Sequence, residues 1–235
     1  MNKTDVIIAL DFKDAQETFT FLDKFTEEKP FVKVGMELFY GEGPQIVREI
    51  KARGHNIFLD LKLHDIPMTV EKAMRNLARL GVNMTNLHAA GTIEMMKGAL
   101  HGLEEGATGT ERAILLAVTQ LTSTSTEIMN KELLLPGDIN DVIVHYAKNT
   151  KEAGLDGVVC SPLEASIVKD ACGTGFLTVT PGIRYPGAGN QDQVRVTSPA
   201  DAKAIGTDYI VVGRPITAQE NPVEAYRRIV KDFIG

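Results

Sequence analysis

The run Asp60-Leu61-Lys62-Leu63-His64-Asp65-Ile66-Pro67 sets a lysine between two carboxylates, directly after the apolar stretch Ile57-Phe58-Leu59. Alternate residues of a strand share a face, so Asp60 and Lys62 are expected to point the same way, and Ile66-Pro67 to turn the chain out of the strand. A second lysine, Lys33, interrupts the apolar run Phe31-Val32-Lys33-Val34-Gly35 in the same manner. A buried charge is costly without a partner, so lysines and aspartates alternating at strand ends imply mutual pairing or a site. The chemistry open to such a group is proton donation. A lysine between carboxylates stays protonated, which makes it a poor Schiff-base nucleophile but a competent general acid. It would stabilise a carbanion formed beside it and then protonate it. The nearby aspartates would disfavour a substrate carboxylate and so favour its loss as carbon dioxide.

Short apolar runs alternate with longer amphipathic ones along the whole chain, and these are the elements that must position the charges. The pattern predicts strands over 6–10, 31–34, 57–61, 84–88, 114–118, 157–160, 177–180 and 209–212. Helices are predicted over 15–25, 43–53, 70–80, 93–103, 139–153, 163–171, 199–205 and 222–233. Gly54 and Gly81 stand where helices end, and Pro199 and Pro222 suit a first helical turn. Eight strands each followed by a helix fit a (β/α)8 TIM barrel of the α/β class, as one domain over 1–235, with no linker to divide it. A Rossmann-like sheet is the alternative, but no Gly-x-Gly-x-x-Gly follows the first strand, which runs instead into Ala9-Leu10-Asp11-Phe12.

In a barrel the strand ends ring one mouth. Asp11, Lys33, Asp60, Lys62, Asp65 just beyond, His88, the Thr119–Ser123 segment, Arg184 and Gly213-Arg214 would then converge. Gly213-Arg214 suits a phosphate, since glycine lets the backbone approach an anion and arginine adds a two-pronged charged contact. Arg184 and Gln193 could complete that pocket. Segments 119–137 and 182–198 are too long for plain turns and are candidate lids on the same face. The ordinary alternative for Asp11 is a helix cap or Asx turn. For Arg184 and Arg195 it is a solvated surface charge. His64 and His88 read as hydrogen-bonded packing residues, whereas His55, His101 and His145 fall in helical or solvated contexts.

The formal net charge of −6 argues against a nucleic-acid binder, though not against a locally bound phosphate. Cys160 and Cys172 lack the company of a metal site or disulfide framework. No stretch approaches a membrane span, and the first residues lack the apolar core of a secretory leader, so a cytoplasmic protein is expected.

Taken together, Ala9-Leu10-Asp11, Phe31-Val32-Lys33-Val34-Gly35, the Asp60–Pro67 run, Leu121-Thr122-Ser123, Pro181-Gly182-Ile183-Arg184, Asp192-Gln193-Val194-Arg195 and Val211-Val212-Gly213-Arg214 resemble the orotidine 5′-phosphate decarboxylase family. The resemblance runs in order from the first strand to the last. It implies conversion of orotidine 5′-monophosphate (OMP) to uridine 5′-monophosphate (UMP) and carbon dioxide, with no metal or organic cofactor. By this likeness Lys62 donates the proton, within a network of Lys33, Asp60, Lys62 and Asp65. Asp11 and Lys33 would hold ribose hydroxyls, Thr122 and Ser123 would read the pyrimidine, Arg184 and Gln193 would lie on a closing loop, and Gly213 with Arg214 would bind phosphate. The likeness also implies a homodimer in which Asp65 and Thr69 reach the partner's site. Two rivals stand beside it. One is a magnesium-dependent barrel of the 3-keto-gulonate 6-phosphate decarboxylase or hexulose phosphate synthase kind; Lys33, where those enzymes place an acid, would repel the cation. The other is a non-catalytic nucleotide-binding or scaffold barrel.

Overall fold

The computed structural model describes residues 4–109, 111–185 and 196–235. Eight parallel strands close into a barrel in sequence order: β1 (Asp5–Ala9), β2 (Phe31–Val34), β3 (Ile57–Leu63), β4 (Met84–His88), β5 (Ile114–Val118), β6 (Gly157–Val159), β7 (Leu177–Thr180) and β8 (Tyr209–Val212). The helices are α1 (Ala15–Leu22), α2 (Met36–Glu42), α3 (Pro44–Ala52), α4 (Pro67–Ala78), α5 (Thr92–Gly106), α6 (Thr126–Glu132), α7 (Ile139–Glu152), α8 (Ala165–Cys172), α9 (Pro199–Ile205), α10 (Arg214–Thr217) and α11 (Pro222–Phe233). This is the expected (β/α)8 architecture. Among the described residues no helix is long and apolar enough to cross a membrane.

Strand alternation sorts the apolar side chains into two cores. One face of each strand packs outward on the helices, as Ile8, Leu10, Val32, Leu59, Leu61, Leu87 and Leu115 do. The other face fills the barrel with Ile7, Phe31, Phe58, Met84, Leu116, Val179 and Tyr209. That apolar plug is the floor on which the next inward-facing residues, further along each strand, must stand.

Three helices were not expected. The segment 119–137 is no plain loop: Ser125 caps α6, its hydroxyl accepting the Ile128 N–H at 3.2 Å. Helix α2 occupies the apolar stretch after Gly35, and α10 is a single turn opened by Pro215. Both are too short for periodicity to announce them. The seam between α4 and α5 is unusually close because Gly102 and Gly106 face the carbonyls of Glu71 and Arg75; a Cβ at either would overlap them. His55 departs from expectation. It is buried, and its Nδ1 donates to the Pro30 carbonyl at 2.8 Å.

Candidate active site

The inward-facing ends of β1, β2 and β3 bring Asp11, Lys33, Asp60 and Lys62 together. The Lys62 ammonium lies 2.7 Å from Asp60 Oδ1, and Lys33 lies 3.5 Å from Asp60 Oδ2 and 3.0 Å from Asp11 Oδ1. Asp11 is therefore an ion-pair partner and not a cap; Asp14 caps α1 instead, accepting the Glu17 N–H at 2.9 Å. Gly35 leaves room for this arrangement, since a Cβ there would stand 3.1 Å from the Lys33 ammonium and press on it.

The side chains of Lys33 and Asp60 are only 12% and 11% exposed, so their charges rest on one another. Burial alone would raise the Asp60 carboxyl, but Lys33 and Lys62, with hydrogen bonds from Lys62 and Asn86, hold it below the usual carboxylate range. Burial likewise works against the Lys33 ammonium, and Asp60 and Asp11 outweigh it, holding its pKa above that of an ordinary lysine. Both groups stay charged at neutral pH.

Lys62 reaches Asp60 through an irregular strand. Between Leu59 and Leu63, β3 advances four residues while β4 advances only from Thr85 to Leu87. The excess arches β3 and leaves Lys62 at φ 52°, a left-handed conformation that costs an L-residue about 1–2 kcal/mol. Asn86, on β4 and fully buried, closes the gap. Its side-chain oxygen accepts the Lys62 backbone N–H at 2.9 Å, and its amide donates to Asp60 Oδ1 at 2.7 Å. Sequence reasoning passed over Asn86. The available signal was an amide in a strand whose inward neighbours, Met84 and His88, point to the same side.

Above the plug lies a cavity of about 380 Å³. Its lining includes Asp11, Lys33, Asp60, Lys62, Thr122, Ser123, Arg184, Gly213 and Arg214, so nine of the expected positions converge. Gln120, within the expected 119–123 segment, lines it as well, and so does Cys160, which was not expected. Strands β7 and β8, which lead to Arg184 and Arg214, stand across the closed barrel from β3 and β4. The cavity thus has two basic side chains on one side and an acid–base group on the other. A smaller cleft, about 220 Å³, reaches Asp11, Lys33, Asp60 and Lys62 from another direction, past Met36 and Glu37 at the start of α2.

Asp65 and Thr69 do not join this group. Both are exposed, and among the described residues the Asp65 carboxylate accepts only the N–H of Ile66, at 2.6 Å. Gln193 and Arg195 lie outside the described residues. The flanks of that segment are pinned: Arg184 N–H donates to the Thr197 carbonyl at 2.9 Å, and Thr197 N–H to that of Gly182 at 3.0 Å. Tyr185 donates to Asp232 at 2.6 Å beneath Arg228. Burial, then Asp232, pushes its phenol up to about 12. The His64 and His88 rings sit 5.8 Å apart, and burial, then His64 and Lys62, lowers the pKa of His88.

A geometry of this kind can bind an anionic ligand and deliver a proton to it. Comparison with known proteins shows the family. Residues 4–229 match the model of the orotidine 5'-phosphate decarboxylase / HUMPS family. An orotidine 5'-phosphate decarboxylase of Bacillus cereus (strain Q1) is 56% identical over 231 residues, 98% of this chain and 97% of that protein. The crystal structure of orotidine 5'-phosphate decarboxylase from Lactobacillus acidophilus superposes with a TM-score of 0.90 at 41% identity, covering 99% of this chain and 100% of the other. A conserved protein of Geobacillus kaustophilus, described as uncharacterized, superposes at 0.88 with 45% identity over 97% of this chain and 99% of its own. The chain belongs to the orotidine 5'-phosphate decarboxylase / HUMPS family.

Proposed function

We propose that this protein decarboxylates OMP to UMP and carbon dioxide, the last step of de novo UMP synthesis, as a cytoplasmic enzyme without metal or organic cofactor. The observation that carries the reading is the Lys33–Asp60–Lys62 group, charged and preorganised at one side of a cavity with Arg184 and Arg214 across from it. In the reaction the bond from C6 to the carboxylate breaks and its electron pair stays on C6 as carbon dioxide leaves. The Lys62 ammonium stabilises that charge and gives C6 a proton, ending as a neutral amine that solvent reprotonates. Gly213 and Arg214 hold the 5′-phosphate, with Arg184 and Gln193 beside it; Asp11 and Lys33 hold the ribose; Thr122 and Ser123 meet the pyrimidine edge. Asp60 fixes both lysines, so the ground state need not reorganise.

Asp65 and Thr69 have their role in a homodimer, acting in the partner's site. Their exposure beside the exposed apolar residues Ile66 and Met68, with Met36 and Tyr40 on α2, supports that placement. The smaller cleft past Met36 is the entry such residues would use. Mixing Asp65→Asn with Lys62→Ala subunits should then regain activity that neither variant has; a mixture as inactive as its parts would refute the shared site. A magnesium-dependent sugar-phosphate reaction is disfavoured by Lys33, whose ammonium stands against Asp60 where a cation would have to bind.

The test is the ultraviolet absorbance of OMP on mixing with chelator-treated protein. Rapid loss of the orotate chromophore is the expected result. A flat trace from folded protein would overturn the reading and direct attention to magnesium and sugar phosphates.

A further inference from the structure

From the geometry of the β3–β4 seam we infer that Asn86 is a positioning residue for the proton donor: it holds the arch of β3 that aims Lys62 into the cavity. The inference rests on the decarboxylase reading and deepens it. Where β3 carries its excess residues, the ladder has no partner for the Lys62 N–H, and the Asn86 side chain takes the place of the missing strand. The same amide donates to Asp60 Oδ1, the oxygen that also holds the Lys62 ammonium. Asn86 thus grips Lys62 at both ends, its backbone directly and its ammonium through Asp60. Asn86 itself is fully buried, so its side chain makes these bonds away from the surface.

The two functions of the amide are separable. A carboxylate in its place could accept from Lys62 N–H but, while ionised, could not donate to Asp60. An apolar residue could do neither, and the left-handed Lys62 would lose what holds it there. A misplacement of about an ångström at a catalytic group is enough to lower turnover about 10²-fold. The charged and titratable groups facing this point are Asp60 and Lys62 on β3, Lys33 from β2, His88 from β4 with His64 beside it, and Asp11 beyond Lys33.

The test measures steady-state turnover of OMP by the parent, Asn86→Leu, Asn86→Asp and Asn83→Ala proteins, with thermal unfolding of each. Asn83 is the control, immediately before the opposite end of β4, where its oxygen accepts the Ile57 N–H. Asn86→Leu should lose kcat about 10²-fold with KM within about threefold of the parent. Asn83→Ala should unfold more easily with parental kcat. Asn86→Asp decides the matter even if Asn86→Leu does not fold. Its kcat should rise as the pH falls and the introduced carboxyl gains a proton to donate to Asp60, a trend the parent should lack. Parental kcat in Asn86→Leu, a parental pH profile in Asn86→Asp, or an equal kcat loss in Asn83→Ala would overturn the inference. A parent that does not turn over OMP would overturn the decarboxylase reading, and this inference with it.

Discussion

At the N-terminal mouth of the barrel Asn83 accepts the Ile57 N–H and the Lys51 ammonium, each at 3.0 Å; at the C-terminal mouth Asn86 accepts the Lys62 N–H and donates to Asp60. Both bridge β3 and β4, yet the surroundings differ in how fully their polar groups are used. At the N-terminal end Asp156 takes both prongs of Arg112, at 2.6 and 3.0 Å, and the N–H of Leu115 at 2.7 Å. Asp208 takes Lys169 at 2.6 Å, with the N–H and hydroxyl of Thr178 at 2.7 and 3.0 Å. These carboxylates each tie a cation to the start of a strand, and such saturation serves stability. At the other end the surplus lies with the donors. Two ammonium groups share Asp60, and Lys62, with three N–H bonds to give, spends one on it, among the described residues. What separates the two ends is that two ammonium groups share the single carboxylate of Asp60 beside the cavity, whereas Asp156 and Asp208 each hold one cation.

Several substitutions test that distinction, beginning with the largest effect. Lys62→Ala should lower kcat about 10⁴-fold or more, the scale of a lost general acid together with its charge, while its unfolding temperature stays near that of the parent. Turnover within tenfold of the parent would remove Lys62 as proton donor. Arg214→Ala should raise KM about 10- to 100-fold, as expected for a lost charge-assisted contact, and an unchanged KM would contradict the phosphate assignment. Asp156→Ala should do the reverse of both. It leaves Arg112 and the Leu115 N–H without their partner, for about 1–3 kcal/mol of stability measured in denaturant, with kcat unchanged. A drop in kcat there would mean that the two mouths are coupled.

The smallest effect lies in the pH dependence of stability. Asp60 ionises below its ordinary value of 3.8, so the stability it contributes is complete above that pH and is lost as the pH falls towards its folded value. Lys33 titrates above 10.5, so its contribution is complete below that pH and is lost as the pH rises past its folded value. The stability gap between the parent and Asp60→Asn should therefore narrow below pH 3.8 and hold steady through neutrality. A gap already closing near pH 6 would mean that Asp60 is not held by its lysines.

Much of this was readable from residues alone. Strands 31–34, 84–88, 114–118, 177–180 and 209–212 have the expected bounds because apolar runs between glycine and proline signals are local features. The convergence of Asp11, Lys33, Asp60 and Gly213 followed from alternation once a barrel was chosen, since inward-facing strand ends share one mouth. Helix α6 falls in the candidate lid 119–137 and carries no helical signal there, because this Thr- and Ser-rich stretch lacks a long apolar stripe. Asp65 looked like a member of the group from its spacing, while Thr69 was expected only from the family likeness, which put both in a partner's site. Within one chain they stand outside it, since Pro67 starts α4 and carries them to the surface.

By itself the sequence determined the eight βα units, the family, and that Lys33, Asp60 and Lys62 would meet, because periodicity and side-chain parity are properties of neighbouring residues. Only the tertiary structure decided how Lys62 is held. Its left-handed backbone and the arch of β3 depend on register against β4, and the residue that secures them is Asn86, 24 positions away. Register between strands is set by packing across the barrel, and no local pattern in β3 specifies it.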